Sequence, residues 1–390
     1  MRLAWFRPGA APDGDDLTAV IDGLRQTHDV RTVDAAAAHD FVWQSAQGIY
    51  DLCVYELDDT PSHQYIWPYL LHYPGVLALR TSRLHDGRAT ALAHQRRDTD
   101  REAEMAFADG AARSDAPWPL VRGTWSTWRI PVLASRLTAV GDDALATAIR
   151  ESCPGARVVV TPTGAPGPVA TAAVAPQAAG GAMRVLVAAG VPARTVGGAA
   201  ERAREAGAAL EIVHAARGDA DASALADVIV ATRWPTFGRP VTAALWGFAA
   251  GKPVIVAETA STARWAALDP QTWQPRSIAA GPGTAGPPIA ISIDPRDEEH
   301  SLMLALVRLA GDEALRAALG GAARAWWEGN ATVPHAVAAW RELLAEAKTL
   351  PPPPRPASWP AHLDADGGAL AAKILDEFDV GAAFRRPRAG

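Results

Sequence analysis

Residues 226–257 read ADVIVATRWPTFGRPVTAALWGFAAGKPVIVA, and this stretch decides the fold. Asp227 to Ala231 is a β-branched apolar run of the kind that forms a strand buried on both faces. Trp234-Pro-Thr-Phe-Gly238 must be a loop, because Pro235 has no N–H to donate and Gly238 frees φ. Val241 to Ala250 is Ala-rich and predicts a helix, with Gly251 at its C′ position and the next strand starting at Pro253. Strand, loop, helix and strand in this order make a parallel unit. The helix N-terminus beyond a strand's carboxyl end is where an open α/β sheet takes phosphate-bearing ligands.

Working outward, the rest of the chain repeats the alternation. Arg2–Phe6, His28–Val33, Asp51–Glu56 and Val76–Leu79 read as strands. Leu17 to Thr27 reads as a helix with Leu17, Val20, Ile21 and Leu24 on one face. Gly87 to Ala112 reads as charged and helical, with Arg101, Glu102 and Glu104 facing solvent or a partner. Further strands are expected at Met183–Ala188, Ala209–His214 and Ile289–Ile293. Helices are expected at Val196–Gly207, Asp297–Ala310, Glu313–Trp327 and Pro334–Ala347, the last two closing the second domain. Strands alternating with helices imply parallel sheets with right-handed crossovers.

With 390 residues the chain suits two domains. The boundaries fall at 1–165 for the first, 166–182 for a Pro/Gly/Ala-rich linker, 183–349 for the second, and 350–390 for a Pro-rich segment and tail. Leu370, Ile374 and Phe378 form one apolar stripe in that tail, suited to docking on the first domain or on a partner. Hydrophobic content of 49% with 21% charged residues is globular, and a net charge of −6 argues against a general nucleic-acid binder. Cys53 and Cys153 read as two buried thiols, not a disulfide framework. No leader and no apolar stretch of membrane-spanning length is legible, so a soluble cytoplasmic protein is the expectation.

Two segments resemble the bacterial family-four glycosyltransferases of GT-B shape. One is Trp234-Pro-Thr-Phe-Gly238 followed by Ala249-Ala-Gly-Lys-Pro-Val-Ile-Val256. The other is Asp58-Asp-Thr-Pro-Ser-His63 followed by an aromatic helix ending in Tyr73-Pro-Gly75. The resemblance implies two Rossmann-like α/β domains facing across a cleft. It also implies retaining, metal-independent transfer from a nucleotide-sugar to a glycan or other acceptor, with no cofactor. The donor would lie against Trp234, Pro235, Thr236, Phe237, Gly238 and Arg239, and the acceptor near Asp58, Asp59, His63, Trp67 and Arg80, with Arg80 and His63 at the catalytic positions. Arg194 would be the cation for the pyrophosphate. In the family an acidic residue follows the loop glycine, a second lies eight positions on, and a histidine ends the strand that here ends at Leu79. Those positions hold Arg239, Gly247 and Arg80. The second domain also looks trimmed, since the organising stretch follows its first βαβ unit almost at once.

Each of these residues has a plainer reading. Asp58 and Asp59 suit capping of a helix, Arg194 an exposed helix start, and Trp67, Trp125 and Trp128, among 14 tryptophans, a core. Gly281-Pro-Gly-Thr-Ala-Gly286 spells a dinucleotide fingerprint. Pro287 and Pro288 stand where its helix would open, so a surface loop fits better. His63, His72, His85 and His94 lack the spacing of a metal-binding helix. Guanidinium donates hydrogen bonds and accepts none, so Arg80 and Arg239 suit a phosphate but cannot do a carboxylate's work. Two functions are therefore carried forward: an active glycosyltransferase, and a catalytically inactive GT-B scaffold or partner subunit.

Overall fold

The structure is a computed structural model, and it describes residues 1–9, 16–109, 127–167, 181–215, 222–234, 241–259, 261–276, 286–365 and 377. Two parallel six-stranded sheets organise it. The first holds β1 (Arg2–Phe6), β2 (Asp29–Val33), β3 (Leu52–Leu57), β4 (Val76–Leu79), β5 (Leu137–Val140) and β6 (Val158–Val160) in the order β2-β1-β3-β4-β5-β6. The second holds β7 (Met183–Val187), β8 (Leu210–His214), β9 (Val228–Ala231), β10 (Val254–Ala257), β11 (Ala267–Leu268) and β12 (Ala290–Ile293) in the order β11-β12-β10-β9-β7-β8. Each sheet grows from its first strand in both directions. Its crevice therefore opens where that strand meets the third, between β1 and β3 and between β7 and β9. The expected α/β architecture is what forms. The second sheet has as many strands as the first, so the short connection expected to trim that domain removes none.

The first sheet buries both faces, and strand alternation assigns the side chains. Leu3, Trp5, Val54, Val76 and Ala78 face α1 (Asp16–Leu24). Phe6, Tyr55, Leu57, Leu77 and Leu79 face the layer of α2 (Ala38–Ala46) and α3 (Ile66–His72), where Phe6 lies against Phe41, Tyr55 and Tyr69 with ring centroids 4.8–5.1 Å apart. Cys53 and Cys153 are both buried free thiols, and burial pushes Cys53 up to about 11 and raises Cys153 as well.

The charged segment is helical in two pieces, α4 (His85–His94) and α5 (Asp98–Asp109), and the chain turns at Arg96 with φ of 57°. A left-handed residue ends an α-helix, so the two are separate. Two expectations need correction. Glu104 does not face solvent. It is 3% exposed and takes a bidentate pair from Arg88 at 2.9 and 2.6 Å.

The second correction concerns the last long helices. After α6 (Arg129–Ala134), α7 (Asp143–Ser152), α8 (Ala193–Glu205), α9 (Ala222–Leu225), α10 (Thr242–Ala249) and α11 (Glu298–Gly311), the helix α12 (Glu313–Asn330) does pack into the second domain. Helix α13 (Val333–Thr349) does not. Its stripe of Ala336, Val337, Trp340, Leu343, Leu344 and Ala347 joins the core of the first sheet, with Trp340 5.0 Å from Trp5 between ring centroids. The chain thus recrosses at Ala331–Thr332. That crossing lies beside the first one, for Ala165 N–H donates to Ala331 O at 3.0 Å and Trp327 Nε1 to Ala165 O at 3.3 Å.

Residues 350–365 then run over the first domain. Trp359 meets Phe107 edge-on at 5.4 Å, Leu363 is buried, and His362 Nε2 lies 2.9 Å from Glu104 Oε1. The tail stripe at Leu370, Ile374 and Phe378 lies outside the described residues. Among the described residues no helix is long and apolar enough to cross a membrane.

Burial opposes ionisation of Glu104, but hydrogen bonds from His362 and Arg88 outweigh it and hold the carboxyl below the ordinary range. Its charge therefore stabilises the fold above the usual glutamate pKa, and that contribution fades as pH falls through the lowered value. Glu104→Gln should cost about 2 kcal/mol at pH 7. The gap in Tm between variant and parent should close on acidification; a gap that persists well below the glutamate range would rule out the charge as its source.

Candidate functional site

Both sheets present their carboxyl ends to a cleft between the domains. On the first domain these ends carry Arg80, just past β4, and the Gly141–Asp142 turn past β5. On the second they carry Trp234 past β9, Glu258 past β10 and Asp294 past β12. Strand direction alone puts these loops on one edge of each sheet.

Near the two chain crossings the cleft encloses a cavity of about 360 Å³. Thr161 and Thr163 line it from the first domain, and Val241, Leu245, Trp265 and Trp326 from the second. Val241 is the residue on which α10 starts and Leu245 lies one turn in, so the organising stretch does reach the cleft. The domains touch at its rim. Asp142 Oδ1 caps α7 by accepting Leu145 N–H at 2.7 Å, and its Oδ2 accepts Ser261 Oγ at 3.2 Å. Arg264 pairs with Asp143 alongside. Asp142 is 4% exposed, so its geometry is fixed by the helix it caps.

A narrow crevice continues from this cavity along Thr161–Thr163 to Arg80, Asp16 and Trp340. Arg80 thus lines a crevice of the first domain, where its guanidinium is engaged by Asp16, donating 3.1 Å from Nη1 to Oδ2 and again from Nη2. Asp16 opens α1, where a carboxylate complements the helix dipole, and it is 5% exposed.

The other acceptor-side residues are placed differently. His63 is buried, with Nδ1 2.7 Å from Thr60 Oγ1. Asp59 accepts Gly87 N–H at 2.7 Å and Asp86 N–H at 3.4 Å, so it caps α4 rather than the segment after it. Burial raises its carboxyl even against those bonds. Asp58 braces the same turn by accepting Asp59 N–H at 2.7 Å. Trp67 is 1% exposed and covered by the Arg88 guanidinium 4.6 Å from its ring, so it is core and cannot stack on a sugar; Trp128 is core too. Trp125 lies outside the described residues.

On the donor side Trp234 is 58% exposed, at the edge of a second cavity of about 420 Å³ shared with Glu258, Asp294 and Arg296. Pro235, Thr236, Phe237, Gly238 and Arg239 lie outside the described residues, as does the Gly281–Ala285 part of the fingerprint. Arg194 is exposed in the first turn of α8, beyond β7. Sequence reasoning passed over Arg233, whose side chain lies along Gly190 where β7 and β9 part. It also passed over Asp142, although an aspartate before an Ala-rich helix is an N-cap signal.

Gly247 has a packing reason. A Cβ there would sit 2.6 Å from Val254 Cγ2 and 2.8 Å from Ile229 Cδ1, so this face of α10 presses on the sheet. An acid at this position would point into the core, away from the cleft.

No protein-family profile matches the chain. No curated protein matches it by sequence. Solved structures do match. Sucrose-phosphate synthase from Thermosynechococcus elongatus aligns with a TM-score of 0.54 at 12% identity, over 89% of this chain and 98% of that one. HepE of Anabaena in complex with UDP and glucose gives 0.55 at 10% identity, over 89% and 100%. The same protein in complex with UDP-glucose gives 0.50 at 13%. At such identities the likeness is one of fold: two Rossmann-like α/β domains in the GT-B arrangement.

Gly247→Ala should cost about 2 kcal/mol by overpacking, and Gly247→Glu clearly more because it also buries a carboxylate. Thermal melts that left Gly247→Glu as stable as the parent would refute the packing. Arg80→Met should cost about 3 kcal/mol, since it leaves the Asp16 charge buried without its guanidinium. An unshifted melt would show that this pair bears no load.

Proposed function

We propose that the protein binds a nucleotide-sugar in the interdomain cleft and transfers its sugar to an acceptor, in the manner of a retaining glycosyltransferase. One observation carries this reading: two parallel sheets aim their carboxyl ends at a common cleft in the arrangement of glycosyltransferase structures, one of them solved with UDP-glucose. The nucleotide would rest on the second domain against Trp234 and the residues that follow it, Pro235, Thr236, Phe237, Gly238 and Arg239. Arg194 and Arg233, at the carboxyl ends of β7 and β9, would receive the pyrophosphate. The acceptor would enter along the first domain past Arg80 and Thr161. Transfer with retention needs electrostatic support for an oxocarbenium-like sugar and for the departing phosphate. The arginines serve the second need.

A second reading is favoured by the Arg80–Asp16 pair and by Gly247. Both are positions where the family resemblance calls for a group that accepts hydrogen bonds or a proton. One is committed to an ion pair and the other to close packing. A scaffold that keeps the cleft without turnover, beside an active partner subunit, accounts for both.

Calorimetric titration with UDP-, GDP- and ADP-sugars tests the proposal, UDP-glucose first. Micromolar binding of any one is expected. Release of the nucleoside diphosphate on adding acceptor supports transfer, and binding without release supports the scaffold. Silence across the panel overturns the donor reading.

A further inference from the structure

We propose that the hinge-side cavity is a binding site for a neutral saccharide, held by Trp265 and Trp326. The proposal rests on the cleft being the functional site, as above, but not on turnover.

The cavity of about 360 Å³ falls in the size range of small-ligand sites, roughly 300–1,000 Å³. Its aromatic wall is built for contact. Phe248 is fully buried and receives Trp265 edge-on at 5.0 Å and Trp326 at 5.7 Å, and the two indoles meet each other at 6.0 Å. Phe248 thus anchors both tryptophans from behind, while each is only half-buried and lines the cavity. Held this way, the indoles offer flat apolar area at little entropic cost, which suits the C–H face of a sugar ring.

Around that wall stand groups that give and take hydrogen bonds in a mixed set. Thr161, Thr163 and Ser261 supply hydroxyls, Asn330 an amide, and Asp142 a carboxylate. Sugar hydroxyls both donate and accept, so a mixed rim matches them. An anion is matched poorly. Among the described lining residues, Asp142 and Asp143 set two carboxylates against the single guanidinium of Arg264, which is already paired with Asp143. A nucleotide phosphate entering here would meet net negative charge. Charge alone does not separate the two cavities, since the one beside Trp234 sets Glu258 and Asp294 against Arg296, itself paired with Asp294; the paired indoles are what mark the hinge-side cavity for a saccharide.

The test is a glycan array of neutral and acidic oligosaccharides probed with the full chain. Titration of the strongest neutral hit by quenching of tryptophan fluorescence follows, with UDP-glucose titrated in parallel. Neutral glycans should bind, and acidic ones should not. Trp326→Leu keeps an apolar plug on Phe248 but removes the flat face, and should weaken the neutral hit about tenfold. Asn330→Ala, at an exposed helix end, should weaken it severalfold; because the amide also donates to Trp326 O at 2.8 Å, a thermal melt beside the parent's checks that the fold is kept. No neutral hit, or an affinity unchanged in both variants, overturns the proposal. UDP-glucose binding without glycan binding sinks this inference alone, and glycan binding without nucleotide binding sinks the donor reading alone.

Discussion

Trp340 against Trp5 is the contact on which the arrangement of the two domains depends. A tryptophan buried to 2% contributes several kcal/mol, about 3–5 when truncated in other cores. Here that energy fixes a helix that follows the second domain in the chain onto the first strand of the first domain. The chain must cross twice between the domains, and the crossings are hydrogen-bonded side by side at Ala165 and Ala331. A single linker would leave the domains free to swivel. Two segments tied together confine the relative motion to a hinge along their line.

The charge on the first domain's cleft wall follows from local compensation. A guanidinium near the end of a buried strand is costly unless a carboxylate meets it. The start of α1 supplies Asp16, which the helix dipole favours in any case. Arg80 therefore adds little net positive potential to the cleft. The same logic holds on the outer side, where Arg88, Glu104 and His362 tie α4, α5 and the 350–365 segment into one unit. Charges that look available in the sequence are, in the fold, mostly spent on one another.

This explains what sequence reading caught and what it missed. Strands were legible because β-branched runs bounded by Gly and Pro have few alternatives, and β4 fell at Val76–Leu79 as expected. Gly251 ended α10 with φ of 66°, in the left-handed form its position required. The destination of α13 was not legible. Its stripe announces a buried face, but periodicity does not say which sheet receives it. The acceptor residues stayed open in the sequence for a related reason: Asp59, His63 and Trp67 carry chemistry that suits either a ligand or a turn, a core or a cap, and only packing decides. Gly247 was noticed for what it lacks, whereas the structure gives it a positive role as the point of closest approach between helix and sheet.

The cavity's position beside the hinge has a thermodynamic consequence. Its walls come from both domains: Thr161 and Thr163 from one, Trp265 and Trp326 from the other. A ligand that needs both walls binds more tightly to the arrangement in which both reach it, and so shifts the population toward that arrangement. The rim contacts, Ser261 to Asp142 and Arg264 to Asp143, are polar and few, so they hold the domains together only weakly against such a shift. Linkage runs both ways: a second ligand that also favours this arrangement would raise affinity in the hinge-side cavity by the factor by which its own binding is helped. Coupling of this kind requires no catalytic group. It requires two sites and one hinge, and it would persist in a protein whose chemistry had been lost.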